Sequence, residues 1–378
     1  MTDIQRYFES AGDSLLTVLR EMVEIESPTL EPDRVNKFGE YVQTKLRALG
    51  AEVELDRQTE RGHNVIGRFG GSAKGERQVL MIGHMDTVFA AGTLAQRPFR
   101  IDGDRAYGPG TADMKSGLVI MLAAMEALKK LGLTPNRPVT MIFNSDEEMQ
   151  SRISRPLIER EAEQSAYALV FEGSDDLSTY TNGRKASGRF KISTRGVAAH
   201  AASGLKEGVN AIEELAHQVV AAQKMTDFTV GTTVSIGTIT GGERPNVVPA
   251  AAEAEFSVRA VTKEEMVRIE ASLRALEPVL PRAQLDVTGG FHRPPFEPKM
   301  VSAELAAALA RAGAAVGLNM KGQLGGGGSD ANLTAGVGTP SVDGLGAVGF
   351  GAHGIDEYVV ISSLKARAAL AAHLLLEL

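Results

Sequence analysis

The 378-residue sequence contains no cysteine and no tryptophan. Without cysteine there is no disulfide, no thiolate metal site and no cysteine nucleophile. Aromatic residues make up only 5% of the chain, which argues against a platform of rings for stacking nucleic-acid bases. Basic charge is outweighed: the formal net charge is -7, and such a surface repels nucleic acid and anionic membrane. Apolar runs stay well short of the roughly 20 residues that cross a bilayer. The opening MTDIQRYFES carries early acidic residues in place of an apolar signal core. The expectation is a cytoplasmic protein with neither nucleic acid nor membrane as partner.

What is present is ordinary globular material, 43% hydrophobic and 23% charged, long enough for more than one domain. Residues 4–25 read as one amphipathic helix with Leu16, Leu19, Met22 and Val23 near one face, ended by Pro28. A second helix over 33–49 stops at Gly50. Strand-like runs follow at Val53, 64–69 and 79–83. A helix over 115–131, a strand over 139–143, a helix near 156–164 and a strand over 167–171 continue the alternation. This pattern predicts an α/β fold, a mostly parallel mixed sheet flanked by helices. After Thr181 the order becomes β-α-β-β-α-β over about a hundred residues, the ferredoxin-like pattern. The chain therefore divides into a larger domain in two parts, 1–182 and 292–378, with an inserted α+β domain at 183–291.

The chemistry concentrates where apolar runs end. VLMIGHMDT, from Val79, ends in His84 and Asp86, two residues that share a side of an extended chain. GPGTADMKSG begins at Gly108 and NSDEE at Asn144, the latter after the apolar run VTMIF. Imidazole and carboxylate together suit zinc, cobalt or manganese, and the ligand candidates are His84, Asp113, Glu147, Glu148, Glu172 and His353. Each alone has a plainer explanation: Glu172 could end a strand, and His353 could sit in a surface loop. Adjacent Glu147 and Glu148 point in different directions, so one can bind metal while the other moves protons. The glycine run before Ser329 allows close approach of backbone to a ligand. GLGAVGFG, from Gly344, lacks the following helix of a nucleotide loop.

In order and number, the segments GHMDTV, GPGTADMKSG, NSDEE, VFEGS, GERPNVVPA, GGGGSDAN and GAHG resemble the M20 family of metallopeptidases, especially its glutamate-carboxypeptidase branch. The resemblance covers nearly the whole chain. It implies a two-metal catalytic domain and a smaller lid or dimerisation domain, which allows a homodimer. It also implies two divalent ions per chain, zinc first among them. His84, Asp113 and Glu172 would hold one ion, and Asp113, Glu148 and His353 the other, with Asp113 bridging and Asp86 orienting His84. A cis peptide between Asp113 and Met114 is part of the same pattern.

By that resemblance the chain hydrolyses an amide, releasing a C-terminal amino acid such as glutamate from a small peptide or N-acyl amino acid. Deacylation of N-acyl amino acids and dipeptide cleavage are the alternatives. Glu147 would be the general base and His200, in RGVAAHAA, the oxyanion donor from the inserted domain. Arg293, Arg259 and Asn246 would bind substrate, and Gly327 and Gly328 would line it closely. Asn246 also reads as a turn residue and Arg259 as a solvated strand charge. The step Met114-Lys115-Ser116-Gly117 departs from that branch, which weakens the transfer of its specificity. A catalytically inactive binding protein with the same fold is the competing class. A nicotinamide oxidoreductase lacks support, since no strand here is followed by GxGxxG.

Overall fold

The computed structural model describes residues 2–73 and 75–378. The chain forms two compact units, one of Met1–Gly183, Pro298–Gly325 and Ser329–Leu378, the other of Arg184–Glu297 and Gly326–Gly328.

The first unit is built on a six-stranded sheet. Its spatial order is Glu52–Asp56, Asn64–Phe69, Val139–Asn144, Gln78–His84, Ser165–Val170 and Ser341–Val342. The last four strands run parallel and the first two antiparallel, which makes the sheet mixed. Val139–Asn144 is buried along its whole length and Gln78–His84 nearly so. That is why both read as continuous apolar runs: a parallel strand covered on both faces has no polar side to alternate with. Helix Ser116–Lys130 is likewise buried almost all round, and it packs against the C-terminal helix Ile361–Glu377. Each large apolar side chain taken fully out of water here, such as Phe38, Phe143 and Phe171, contributes about 1.5–3 kcal/mol.

Local signals set the helix ends. Pro32 opens the helix Pro32–Leu49 and Gly50, at φ 95°, closes it. The single helix expected over 4–25 is two, Asp3–Ser10 and Gly12–Val23. Ala11 between them leaves helical geometry at φ -95°, ψ 3°. Its amide still caps the first helix on Tyr7 O, at 3.0 Å. The break also rotates the apolar face, so that Leu15 is buried and Leu16 only half-buried. A small sheet escaped the sequence pattern: Gly349–Phe350, Tyr358–Val360, Arg105–Tyr107 and Arg100–Asp102 pair in that order. Strands of two or three residues are too short to show a period.

The second unit contains Ala186–Arg195, Ala211–Gln223, Thr233–Gly241, Ala251–Ala260, Lys263–Arg274 and Gln284–Arg293, in the order β-α-β-β-α-β. Its four strands form an antiparallel sheet with sequence order 2-3-1-4. Phe190, Ile192, Ala254, Phe256 and Val258 alternate with polar neighbours and form its core together with Leu215, Ile269 and Leu273. The unit continues past Phe291 because Arg184 and Phe296 pair through their backbones, at 2.7 and 2.9 Å.

Candidate metal centre

Three adjacent parallel strands deliver ligand-type side chains at their C-terminal ends, where open α/β sheets place their sites. His84 is the last residue of Gln78–His84 and is in register with Asn144. Beyond Asn144 a single 3₁₀ turn, Glu147–Met149, presents Glu147 and Glu148. Glu172 stands two residues beyond Ser165–Val170. Asp113 comes from the loop that enters helix Ser116–Lys130, and the Asp113–Met114 peptide is cis. His353 occupies a tight turn at φ 64°, closed by Gly354 N donating to Gly351 O at 2.8 Å.

These side chains converge. His84 Nε2 lies 3.0 Å from Asp113 Oδ1 and 3.8 Å from Glu172 Oε1. His353 Nε2 lies 3.1 Å from Asp113 Oδ2 and 3.1 Å from Glu148 Oε2. The two oxygens of Asp113 thus face different imidazoles, giving two triads that share one carboxylate. Burial pushes Glu148 up to about 8 and Glu172 well above the usual carboxylate range. Burial opposes ionisation of Asp113 too, but hydrogen bonds to His353 and His84 hold it well below that range. For His84, burial favours the neutral ring, and the hydrogen bonds to Asp113 and Asp86 overcome it, raising the pKa well above 6.5.

The donor set fits divalent ions. Each triad offers one imidazole nitrogen and two carboxylates, a mixture suited to zinc and its neighbours with a position left open. Glu148 Oε1 is buried with no hydrogen-bond partner among the described residues, an atom that a cation would satisfy.

Asp86 meets the cluster through its main chain as well as its side chain. His84 Nδ1 is 2.9 Å from the main-chain oxygen of Asp86 and 3.5 Å from its carboxylate. The carboxylate also accepts from the amides of Glu147 and Glu148, both at 3.2 Å, and from Thr29 Oγ1 at 2.7 Å. Two acidic residues that the sequence did not single out also hold the loops. Asp330 accepts from Asn144 Nδ2 and Ser151 Oγ, at the two ends of the segment carrying Glu147 and Glu148. Glu357 accepts from amides of the Asp113 loop. The signals available were an acidic residue four positions after His353 and one next to Ser329.

The remaining candidates belong to the second unit. The His200 backbone pairs with Val247, and Ala201 N donates to Asn246 O at 3.1 Å, so His200 and Asn246 are neighbours there. His200 Nδ1 accepts from Ala202 N and Ser203 N at 3.2 and 3.3 Å, which leaves Nε2 to carry the proton of the neutral ring. Arg259 and Arg293 are both in register with Ser187, one on each side of it. Arg293 is buried, and Arg259 is lowered by burial and by nearby Arg189. Gly327 O accepts from Arg184 Nη1 at 2.8 Å, and a Cβ on Gly327 would meet nothing within 4 Å.

Residues 80–377 match the family model described as peptidase family M20/M25/M40. Carboxypeptidase G2 of Pseudomonas sp. (strain RS-16) is 32% identical, over 98% of this chain and 91% of its own. Among solved structures, aminopeptidase PepT from Bacillus cereus ATCC 10987 has a TM-score of 0.83 at 24% identity, covering 97% of this chain and 98% of that one. The Bacillus subtilis YXEP protein, a dinuclear metal-binding peptidase from the M20 family, has a TM-score of 0.74 at 16% identity, covering 97% and 98%. The two structures show a common fold; the family match and the nearly full-length relative show kinship. The chain belongs to peptidase family M20/M25/M40.

Proposed function

We propose that the chain is a two-metal carboxypeptidase that hydrolyses the amide bond before a C-terminal amino acid, with glutamate as the first residue to test. The observation that carries this reading is the division of Asp113 between two imidazoles, Oδ1 toward His84 and Oδ2 toward His353. His84, Asp113 and Glu172 would hold one ion, and Asp113, Glu148 and His353 the other, with zinc the preferred metal. When bound, such a pair acidifies water and polarises a carbonyl. Glu147, adjacent to a ligand but in neither triad, takes the proton of the attacking water and delivers it to the leaving nitrogen. His200, with Nε2–H available, donates to the oxyanion. Arg293 and Arg259 supply guanidinium groups for the terminal carboxylate, with Asn246 and the Gly327–Gly328 backbone as further contacts. The carboxypeptidase name of the nearly full-length relative supports the reaction class. No helix among the described residues is long and apolar enough to cross a membrane. A cytoplasmic setting and a homodimer through the second unit complete the reading.

The test has two parts. Metal analysis should give two transition-metal ions per chain, and Glu147→Gln should abolish turnover while leaving both ions bound. Unchanged turnover in Glu147→Gln would remove the general-base role. A panel of dipeptides and N-acyl amino acids that differ at the C-terminal residue then ranks carboxypeptidase, dipeptidase and deacylase activity.

A further inference from the structure

Glu357 is buried, at 2% exposure, immediately before the strand Tyr358–Val360. Its carboxylate faces a loop more than 240 residues earlier in the chain. Oε2 accepts from Gly110 N at 2.8 Å, and Oε1 accepts from Ala112 N at 2.8 Å and Asp113 N at 3.0 Å. The main-chain oxygen of Glu357 takes Gly108 N at 3.4 Å. Two features bring these amides together. Pairing of Tyr358 with Tyr107 sets the loop opposite Glu357. Gly110, at φ 75°, then turns inward where a Cβ would meet Thr87 Cγ2 at 2.8 Å. The Lys115 amide closes the loop on Gly110 O at 2.9 Å, and its buried ammonium donates to Ile25 O at 2.9 Å.

We propose that Glu357 is a positioning residue of the metal centre: by binding the amides of Gly110, Ala112 and Asp113, it fixes where the Asp113 carboxylate stands relative to His353. The proposal rests on the two-metal reading above. A hydrogen bond to the Asp113 amide restrains the backbone from which the shared carboxylate projects. His353 lies four residues upstream of Glu357 on the same segment, and its Nε2 is 3.1 Å from Asp113 Oδ2. One buried carboxylate therefore ties together the two segments that carry Asp113 and His353. A glutamine cannot replace this one, because its Nε2 would meet an amide donor where an acceptor is needed.

A loop anchor with no bearing on the ligands would change melting alone. The test therefore reads metal binding in folded protein. Full-length wild type, Glu357→Gln and Glu357→Ala are titrated with zinc against a competing chelator, and the cobalt-substituted forms are compared by visible absorption. We expect Glu357→Gln to melt cooperatively, to bind zinc about 10–100-fold more weakly and to give an altered cobalt spectrum. In the same variant kcat should fall while KM changes little. Wild-type zinc affinity and cobalt spectrum in folded Glu357→Gln or Glu357→Ala would overturn the proposal. Failure of both variants to fold would make Glu357 a determinant of the fold and overturn it equally. A separate control guards the underlying reading: if Asp113→Asn binds zinc as wild type does, the two-metal centre itself is wrong, whatever Glu357 does.

Discussion

Asp86 accepts hydrogen bonds from the main-chain amides of both Glu147 and Glu148, at 3.2 Å each, while its own main-chain oxygen meets His84 Nδ1 at 2.9 Å. One fully buried residue thus sets a proposed ligand on one strand and a proposed base and ligand on the next. Asp86→Asn keeps a single acceptor oxygen and turns an NH₂ toward a donor, leaving an amide unsatisfied at a cost of about 1–3 kcal/mol. We expect kcat/KM to fall by about 10–100-fold in Asp86→Asn, and further in Asp86→Ala. Wild-type kcat/KM in both variants would mean that the 3₁₀ turn holds its place without Asp86.

Metal binding should release protons. In the ion-free chain burial pushes Glu148 up to about 8, and the hydrogen bond to Asp113 does most to raise His353 to about 9. Glu172 is raised well above its ordinary value by burial. At pH 7 Glu148 and His353 carry protons that they must lose to become ligands. Zinc affinity should therefore rise with pH between about 6 and 9 and level off above. Calorimetric titration in two buffers of different ionisation enthalpy measures the released protons. Proton uptake, or affinity falling with pH, would contradict the ligand assignment. Removal of the ions with a chelator should abolish turnover, and added zinc should restore it.

Residues at the ends of long strands were legible in the sequence, because a buried parallel strand announces itself as an apolar run and the next polar residue marks its end. His84, Glu147, Glu148 and Glu172 could be located this way. The β-α-β-β-α-β order was legible because its strands run nine or ten residues, long enough to show a period, with Asn210 and Thr262 capping the helices between. Glu357 was not legible. Its partners are backbone amides, which every residue has, and their convergence depends on the pairing of two three-residue strands. Asp330 was hidden because it follows a run of glycines and a serine, and its side-chain partners Asn144 and Ser151 lie far upstream. The split at Ala11 was missed because neither Ser10 nor Gly12 forbids a helix.

Glu161 should make folding sensitive to acid. It is 3% exposed and takes Arg68 in two hydrogen bonds of 2.9 and 2.8 Å, with Gln78 Nε2 at 3.2 Å. Burial favours its neutral form, but the bonds from Arg68 and Gln78 win, so its pKa is lowered. The stabilisation is therefore complete above the unfolded pKa of about 4.3 and disappears as pH falls through the lower folded value. Glu161→Ala leaves a guanidinium that is one-third exposed, so water recovers part of the loss. We expect a cost of about 2 kcal/mol at pH 7, below the 3–5 kcal/mol of a fully buried broken pair. Urea unfolding of wild type and Glu161→Gln between pH 7 and 3 should show the difference shrinking with acid. A constant difference would show that packing at this position matters more than charge.

Gly117 should tolerate no side chain. A Cβ there would stand 2.0 Å from Phe171 O and 2.8 Å from Met114 Cε. Phe171 precedes Glu172 and Met114 follows Asp113, so relief of the clash displaces proposed ligands from both sides. Ser116, one position earlier, is buried and already accommodated, which locates the intolerance in the close approach of helix and strand at 117. Gly117→Ala should cost about 2–4 kcal/mol and weaken zinc binding as well. Gly70→Ala is the matched control, because a Cβ there meets nothing within 4 Å, and its effect should stay within about 0.5 kcal/mol. If urea unfolding and zinc titration find the two variants alike, the helix can withdraw from the strand without disturbing Asp113 or Glu172, and the rigidity assumed for this corner of the site is absent.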